Sequence, residues 1–197
     1  AACGPVTAAY VIRDNLRHRR DIEDAYLAAI GEARSRIVLA NAYFLPGRRF
    51  RHALVQAAQR GVEVTVLLQG RVEYALLHYA SHALYGALLA AGVRIFEYHK
   101  SFLHAKVGVV DADWATVGSS NIDPFSLMLA REANVVVRDA EFATRLYESL
   151  ARAMADGARA LDPDRWKRLP LLARLTHWMA YGLVRLMIGI AGYGGRQ

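Results

Sequence analysis

The sequence predicts an α/β fold: a mixed, mostly parallel β-sheet flanked by helices on both faces, followed by a C-terminal amphipathic helical tail. Three observations predict it. Apolar runs rich in β-branched residues alternate with segments of helical period. Gly61 and Gly92 each stand just past a helical segment and just before a strand-like run, the place of a helix C′ residue. After Phe102 the pattern changes to strand, tight turn and strand, which adds a hairpin to the alternating units.

Taken in order, residues 21–36 read as a helix, with Ile22, Tyr26, Ala29, Ile30 and Ala33 at helical spacing. Residues 37–45 form an apolar strand that ends at Pro46-Gly47. Residues 49–60 are helical, and 62–68 (VEVTVLL) are a buried strand. A long helix over 74–91 leads into a strand over 93–98. Strands over 103–110 and 114–117 flank the turn Asp111-Ala112-Asp113, and a strand over 133–137 precedes a helix over 141–154. No internal repeat or low-complexity run interrupts the series.

Residues 1–158 are expected to form the catalytic domain, and residues 159–197 a basic, apolar tail. Asp162-Pro163 marks the change in character. The formal charge is +7, from 25 basic and 18 acidic residues. Residues 157–197 supply +5 of it, seven basic minus two acidic. Hydrophobic residues make up 54% of the chain, and the mean hydropathy is +0.12. Such a balance favours an anionic partner, and acidic phospholipid and nucleic acid satisfy it equally well. In the stretch 169–191, Arg174 and Arg185 leave only ten residues between them, too few for a span of about 20 apolar residues. Arg174, His177, Tyr181 and Arg185 fall on one stripe. Leu172, Leu175, Trp178, Met179, Leu183 and Leu186 fall on the other faces, the pattern of a helix lying in a membrane interface. The bland alternative is a helix packed on the domain or on a partner half.

One cysteine, Cys3, excludes a disulfide framework and a cysteine metal site, and is expected of a reducing compartment. The start at Ala1-Ala2-Cys3-Gly4 lacks a methionine and a signal-peptide pattern, as expected of one half of something longer.

The chemistry concentrates in SFLHAKVGVVDADWATVGSSNIDPFSLMLAREAN, residues 101–134. In a strand His104 and Lys106 share a face. Asp111 lies where an Asx side chain holds a turn. The return strand delivers Gly118, Ser119 and Asn121 to the end of the sheet that carries His104, with Gly118 allowing close backbone approach to a ligand. A neutral imidazole attacks phosphorus and forms a covalent phosphoenzyme. Lys106, Ser119 and Asn121 stabilise charge on the equatorial oxygens. Glu132 opens the next strand and is expected to orient the imidazole through its other nitrogen. Beyond the strand exits, Tyr43, Phe44 and Arg71 are the expected substrate contacts. Arg48, Arg49 and Arg51 read as a solvated helix start. His78 and His82 stand at i, i+4, but Tyr79 occupies the place of the glutamate in H-E-x-x-H and no third ligand is evident. No metal and no cofactor is therefore expected.

The spacing His104-x-Lys106-x4-Asp111-x6-Gly118-Ser119-x-Asn121 resembles the HKD signature of the phospholipase D superfamily. With NAYFLPG at 41–47, LLQGRVEY at 67–74 and WATVGSSNIDPFSL at 114–127, it resembles the second half of bacterial cardiolipin synthases of the two-HKD type. The resemblance covers residues 11–155. It implies a metal-independent phosphatidyltransferase with a phosphohistidine intermediate. In it His104 is either the nucleophile or the general acid, and Asp111 mainly supports structure. It implies a peripheral position at the bacterial cell membrane, on the cytoplasmic side, with anionic phospholipid as substrate. Such enzymes pair two motifs, so the partner is a missing N-terminal half or a second copy. The rival reading is a homodimeric single-motif phosphodiesterase, nuclease or hydrolase, and a third is a non-catalytic half. Against nucleic acid stands the absence of a basic groove interleaved with aromatics.

Overall fold

The structure is a computed structural model that describes residues 6–194, so Cys3 lies outside the described residues. One eight-stranded sheet runs in the order β1-β7-β6-β5-β2-β3-β4-β8. Its strands are β1 (Thr7–Arg13), β2 (Arg36–Asn41), β3 (Glu63–Gln69), β4 (Arg94–Tyr98), β5 (Lys106–Val110), β6 (Trp114–Gly118), β7 (Glu132–Arg138) and β8 (Ala158–Ala160). The helices are α1 (Asp21–Glu32), α2 (Arg48–Gln59), α3 (Ala75–Ala90), α4 (Pro124–Met128), α5 (Ala140–Gly157), α6 (Pro163–Lys167) and α7 (Leu171–Gly194).

The mixed α/β architecture agrees with the sequence reading, but the balance of directions does not. Parallel pairing is confined to β2-β3 and β3-β4, and every other pairing is antiparallel. Only α2 and α3 serve as crossovers between neighbouring strands, and a parallel pair requires a crossover. β1 and β8 add antiparallel edges and are mostly exposed, and β8 has only three residues.

The alternation of side chains along the strands builds two cores. Ile37, Leu39, Val64, Val66, Leu68 and Ile95 face α1, α2 and α3. Val38, Ala40, Leu67, Val109 and Ala115 face α5 through Ala143 and Leu150. Caps set the helix ends. Acidic Asp21, Glu23 and Asp24 occupy the first turn of α1, where the helix dipole favours them. The Asp139 carboxylate accepts from Phe142 N–H at 2.7 Å to start α5. Gly61 and Gly92 close α2 and α3 at φ values of +89° and +90°, where a side chain would be strained.

The expected tail joins the fold. β8 pairs with β4, and α7 packs along α3. Val184 and Ile188 of α7 are buried against Leu45, Ala80 and Leu84. His177 and Tyr181, read as part of a polar stripe, belong to this inward face: His177 stacks with Tyr79 and Trp166, and Tyr181 packs against the cluster of Leu45 and Leu84. Leu172, Leu175, Trp178, Met179, Leu183 and Leu186 are exposed.

Asp111 has φ +51°, in the left-handed region, and stands at the end of β5 opposite His104. Its carboxylate accepts from the backbone N–H groups of Arg34, Ser35 and Arg36 and from the Ser35 hydroxyl, at 2.8–3.0 Å. Burial pushes this carboxyl up, but the hydrogen bonds outweigh it and the net shift is downward. Asp111 therefore clamps the α1–β2 loop and takes no part in the site. A depressed carboxyl stabilises the fold above its unfolded pKa, and that contribution is lost as pH falls through the folded value. Asp111→Ala is expected to cost about 2–3 kcal/mol at pH 7. In urea titrations the gap from the unchanged chain should close below the carboxylate range. An equal gap at pH 7 and at strongly acid pH would contradict this account.

Candidate active site

β5 begins at Lys106, flanked by β2 and β6, whose carboxyl ends point the same way. Beyond Lys106 the chain leaves the sheet, and the exits of its two neighbours close together. Phe44 and Ile122 form a parallel bridge, and Leu45 N–H donates to the Ile122 carbonyl at 2.8 Å. The Asn41 side-chain oxygen accepts from Ile122 N–H at 3.0 Å. This closure encloses Lys106, which is 8% exposed, and its Nζ is buried without a hydrogen-bond partner. Burial pulls the Lys106 ammonium below its usual value, while Glu132, Asp123 and Glu73 act in the opposite sense.

His104 precedes the strand rather than lying in it, and its side chain is exposed. Its neighbours are fixed on both sides. Leu103 N–H donates to the Gln69 side-chain oxygen at 3.2 Å, and the Ala105 carbonyl accepts from Ala42 N–H at 3.0 Å. Gln69 and Asn41 are thus positioning groups that the sequence reading passed over. The available signal was a polar residue ending an otherwise apolar strand, at Asn41 after IVLA and at Gln69 after VTVLL.

Asn121 is buried and accepts from Tyr43 N–H at 3.3 Å, which leaves its NH2 as the donor it offers. Ser119 donates its hydroxyl proton to Glu132 and accepts from Ala133 N–H at 3.1 Å. Glu132 therefore meets Ser119, not the imidazole. The sheet order explains this: β6 lies between β7 and β5, so Ser119 stands between Glu132 and His104. Arg13, paired across the ladder with Glu132, is buried beside it and donates to the Ala130 carbonyl and to Asn15. Sequence reading missed Arg13 because β1 was not recognised.

Three expected substrate contacts have other work. Phe44 is 2% exposed and lies in the core beneath the strand exits. Gly118 faces β7: a Cβ there would lie 2.1 Å from Asn134 Oδ1 and 2.5 Å from the Ala133 carbonyl, so it admits the neighbouring strand rather than a ligand. Arg71 donates to the carbonyls of His99 and Lys100, at 3.0 and 2.7 Å, and ties together the exits of β3 and β4. Tyr43 lies at the edge of a shallow depression shared with Arg71, Tyr74 and His78, and its hydroxyl donates to Glu73. Burial, then the charge on His82, pushes His78 down to about 4, so it is neutral near pH 7. Among the described residues, no three His, Cys, Asp or Glu side chains are grouped to hold a metal ion.

This is the arrangement of a domain that presents an HKD motif at the end of a mixed sheet. The profile described as "Cardiolipin synthase, PLD-like domain" matches residues 26–154, and the chain belongs to that family. It is 43% identical over 175 residues to cardiolipin synthase B of Escherichia coli (strain K12), covering 89% of this chain and 41% of that protein. The chain thus spans less than half the length of this curated relative. Among solved structures, a phospholipase D family member, Nuc from Salmonella typhimurium, superposes with a TM-score of 0.67 at 20% identity. That match covers 80% of this chain and 99% of Nuc. Phosphatidylserine synthase of Haemophilus influenzae gives 0.71 at 11% identity, covering 92% of this chain and 46% of that one.

A buried ammonium without a partner destabilises the fold that holds it. Its lowered pKa gives the sign: the penalty is fully present at neutral pH and fades as pH rises through the folded value towards the unfolded one. Lys106→Met, which keeps the stem and removes the charge, is expected to raise stability by roughly 1–2 kcal/mol at pH 7. Thermal unfolding followed to pH 10 should show the gain shrinking, and a Tm lowered by the substitution at neutral pH would refute it.

Proposed function

We propose that this chain supplies one of two HKD half-sites of a phosphatidyltransferase that makes cardiolipin from phosphatidylglycerol. The observation that carries the reading is the Lys106 Nζ, buried without a hydrogen-bond partner among the described residues, two residues after the exposed His104 and at the strand exits that close through Phe44 and Ile122, next to Asn121 in the chain. An anionic phosphodiester oxygen is the group that such an ammonium lacks. The relatives named cardiolipin synthase support the substrate, and their length, more than twice the span matched here, supports a second half.

In this mechanism one histidine of the pair attacks the phosphorus of phosphatidylglycerol. A P–N bond forms, the P–O bond to the glycerol headgroup breaks, and the other histidine protonates the departing alkoxide. The hydroxyl of a second phosphatidylglycerol then gives its proton back to that histidine and attacks phosphorus. The P–N bond breaks, and cardiolipin is complete with one glycerol released. Lys106 and the Asn121 NH2 hold the equatorial oxygens. Glu132 acts through Ser119, fixing its hydroxyl and balancing Lys106 and Arg13. Water as acceptor gives phosphatidic acid instead, so exclusion of water decides between transfer and hydrolysis.

A homodimer of single-motif chains is the second reading. The match that spans 99% of Nuc favours it, because that chain has one such domain's length. The basic charge would then serve a different phosphodiester.

Membrane contact is assigned to the outward face of α7. No helix among the described residues is long and apolar enough to cross a membrane. Leu171, Leu172, Leu175, Met179 and Leu186 are each more than half exposed, with Arg174 and Arg185 beside them, which suits a helix lying at an anionic surface on the cytoplasmic side.

Two experiments test these assignments. In the complete two-half protein, His104→Asn should lower phosphatidylglycerol turnover by on the order of 10³-fold or more. Lys106→Ala should lower it by about 10²–10³-fold. Radiolabelled donor quenched in base would place the label on His104 if it attacks, or on the other half if it protonates. Unchanged turnover in the His104 variant would sink the proposal. Separately, Leu175→Glu with Leu186→Glu should weaken sedimentation with phosphatidylglycerol vesicles by about tenfold or more at unchanged Tm. Equal sedimentation would remove α7 from the membrane contact.

A further inference from the structure

A second cluster of cations lies away from His104. α3, α6 and α7 enclose a cleft of about 350 Å³, on a different face of α3 from the Tyr43 depression. That volume falls within the range of small-molecule sites. Arg51 from α2, Lys167 from α6 and Arg174 from α7 line it, and no Asp or Glu does. The Arg48-Arg49-Arg51 run divides here. Arg49 pairs with Asp24 and Glu23 at 3.1 and 3.7 Å, whereas Arg51 is half-buried and turns to the cleft. Its Nε is buried without a hydrogen-bond partner. Arg174 is exposed and makes no ion pair among the described residues, and Lys167 shares its charge with Asp164 at 3.0 Å.

The rest of the lining is apolar and aromatic. Trp166 stacks with His177, the ring planes 18° apart, and stands edge-on to His82, so its indole is fixed as a wall. Trp178, 53% exposed, lines the same cleft and also belongs to the outward apolar face of α7. The cleft therefore opens onto the surface assigned to the membrane. Cations at one side and tryptophans at the mouth match a molecule with an anionic head and an apolar chain.

We propose that this cleft is a second binding site, for one anionic phospholipid, with its phosphate between Arg51 and Arg174 and an acyl chain along Trp166 and Trp178. It is separate from the phosphorus site at Lys106 and does not depend on the reaction proposed for that site. Bound lipid would tie α7 to α3 and α2, coupling the seating of the helix to the charge of the surrounding membrane.

The test uses the full chain carrying Lys106→Met, so that no signal arises from the other phosphate site. Short-chain phosphatidylglycerol with brominated acyl chains, kept below its micelle concentration, should quench tryptophan fluorescence saturably. The equivalent phosphatidylcholine should bind about tenfold more weakly or worse, because its phosphate charge is offset within the headgroup. Inorganic phosphate should fail to compete at matched concentration, because it lacks the chain. Arg174→Gln should weaken phosphatidylglycerol by about tenfold, and Trp166→Phe should remove part of the quenching. Arg51→Gln should act in the same direction, with the exposed Arg174 deciding the matter if Arg51→Gln fails to fold. Equal quenching by the two lipids, an unchanged affinity in Arg174→Gln, or displacement by inorganic phosphate at matched concentration would each overturn the proposal. In the complete two-half protein with Lys106 intact, loss of turnover in His104→Asn with this quenching retained would separate the two sites.

Discussion

The candidate site is organised around an ammonium group held away from water where a central strand begins. Lys106 is the first residue of β5, and its two neighbours run past it and close together through Phe44 and Ile122. Antiparallel pairing on both sides of β5 brings this about, because it points the carboxyl ends of β2 and β6 in one direction. A lysine at the middle of the strand would meet the apolar core. Two residues earlier it would be as exposed as His104. The position between these two gives a charge that is desolvated yet adjacent to solvent, and there its attraction for an anion is strongest.

The two ends of β5 divide the work. At one end a carboxylate satisfied four times over holds a loop, and its hydrogen bonds outweigh the cost of burying Asp111. At the other end an unsatisfied cation sits in a cage that the fold maintains. Both residues belong to the same sequence motif, and their hydrogen-bond status is opposite: Asp111 is satisfied by a loop, and Lys106 is left with the capacity that the proposed chemistry uses. The Ser119–Glu132 pair is intermediate: Glu132 carries the negative charge that offsets Lys106 and Arg13, and Ser119 transmits it to the site edge.

α7 is apolar on both sides. Val184 and Ile188 face the protein together with His177 and Tyr181, and its leucines face outward. The inward face is tolerated because His177 is buried among Tyr79, His82 and Trp166, and burial holds its imidazole below the ordinary value and favours the neutral ring. The exposed leucines of the outward face are what the proposed membrane contact accounts for, and Trp178 of that face also lines the cleft of Arg51 and Arg174.

The α/β class and most helix and strand positions were legible in the sequence, because these depend on local period and on side-chain type. Gly61 and Gly92 mark helix ends through backbone freedom alone, whereas the shared strand face expected of His104 and Lys106 did not hold, because β5 begins at Lys106 and His104 lies before it, exposed. Only the tertiary structure decided which strands pair in parallel, since that depends on what lies between them in space. It also decided that Glu132 meets Ser119, because β6 stands between β7 and β5. It placed Phe44 in the core and Gly118 against Asn134, positions that a strand exit reads as ligand contacts. The face that α7 turns inward was settled by what α3 offers it, a partner invisible to a helical wheel.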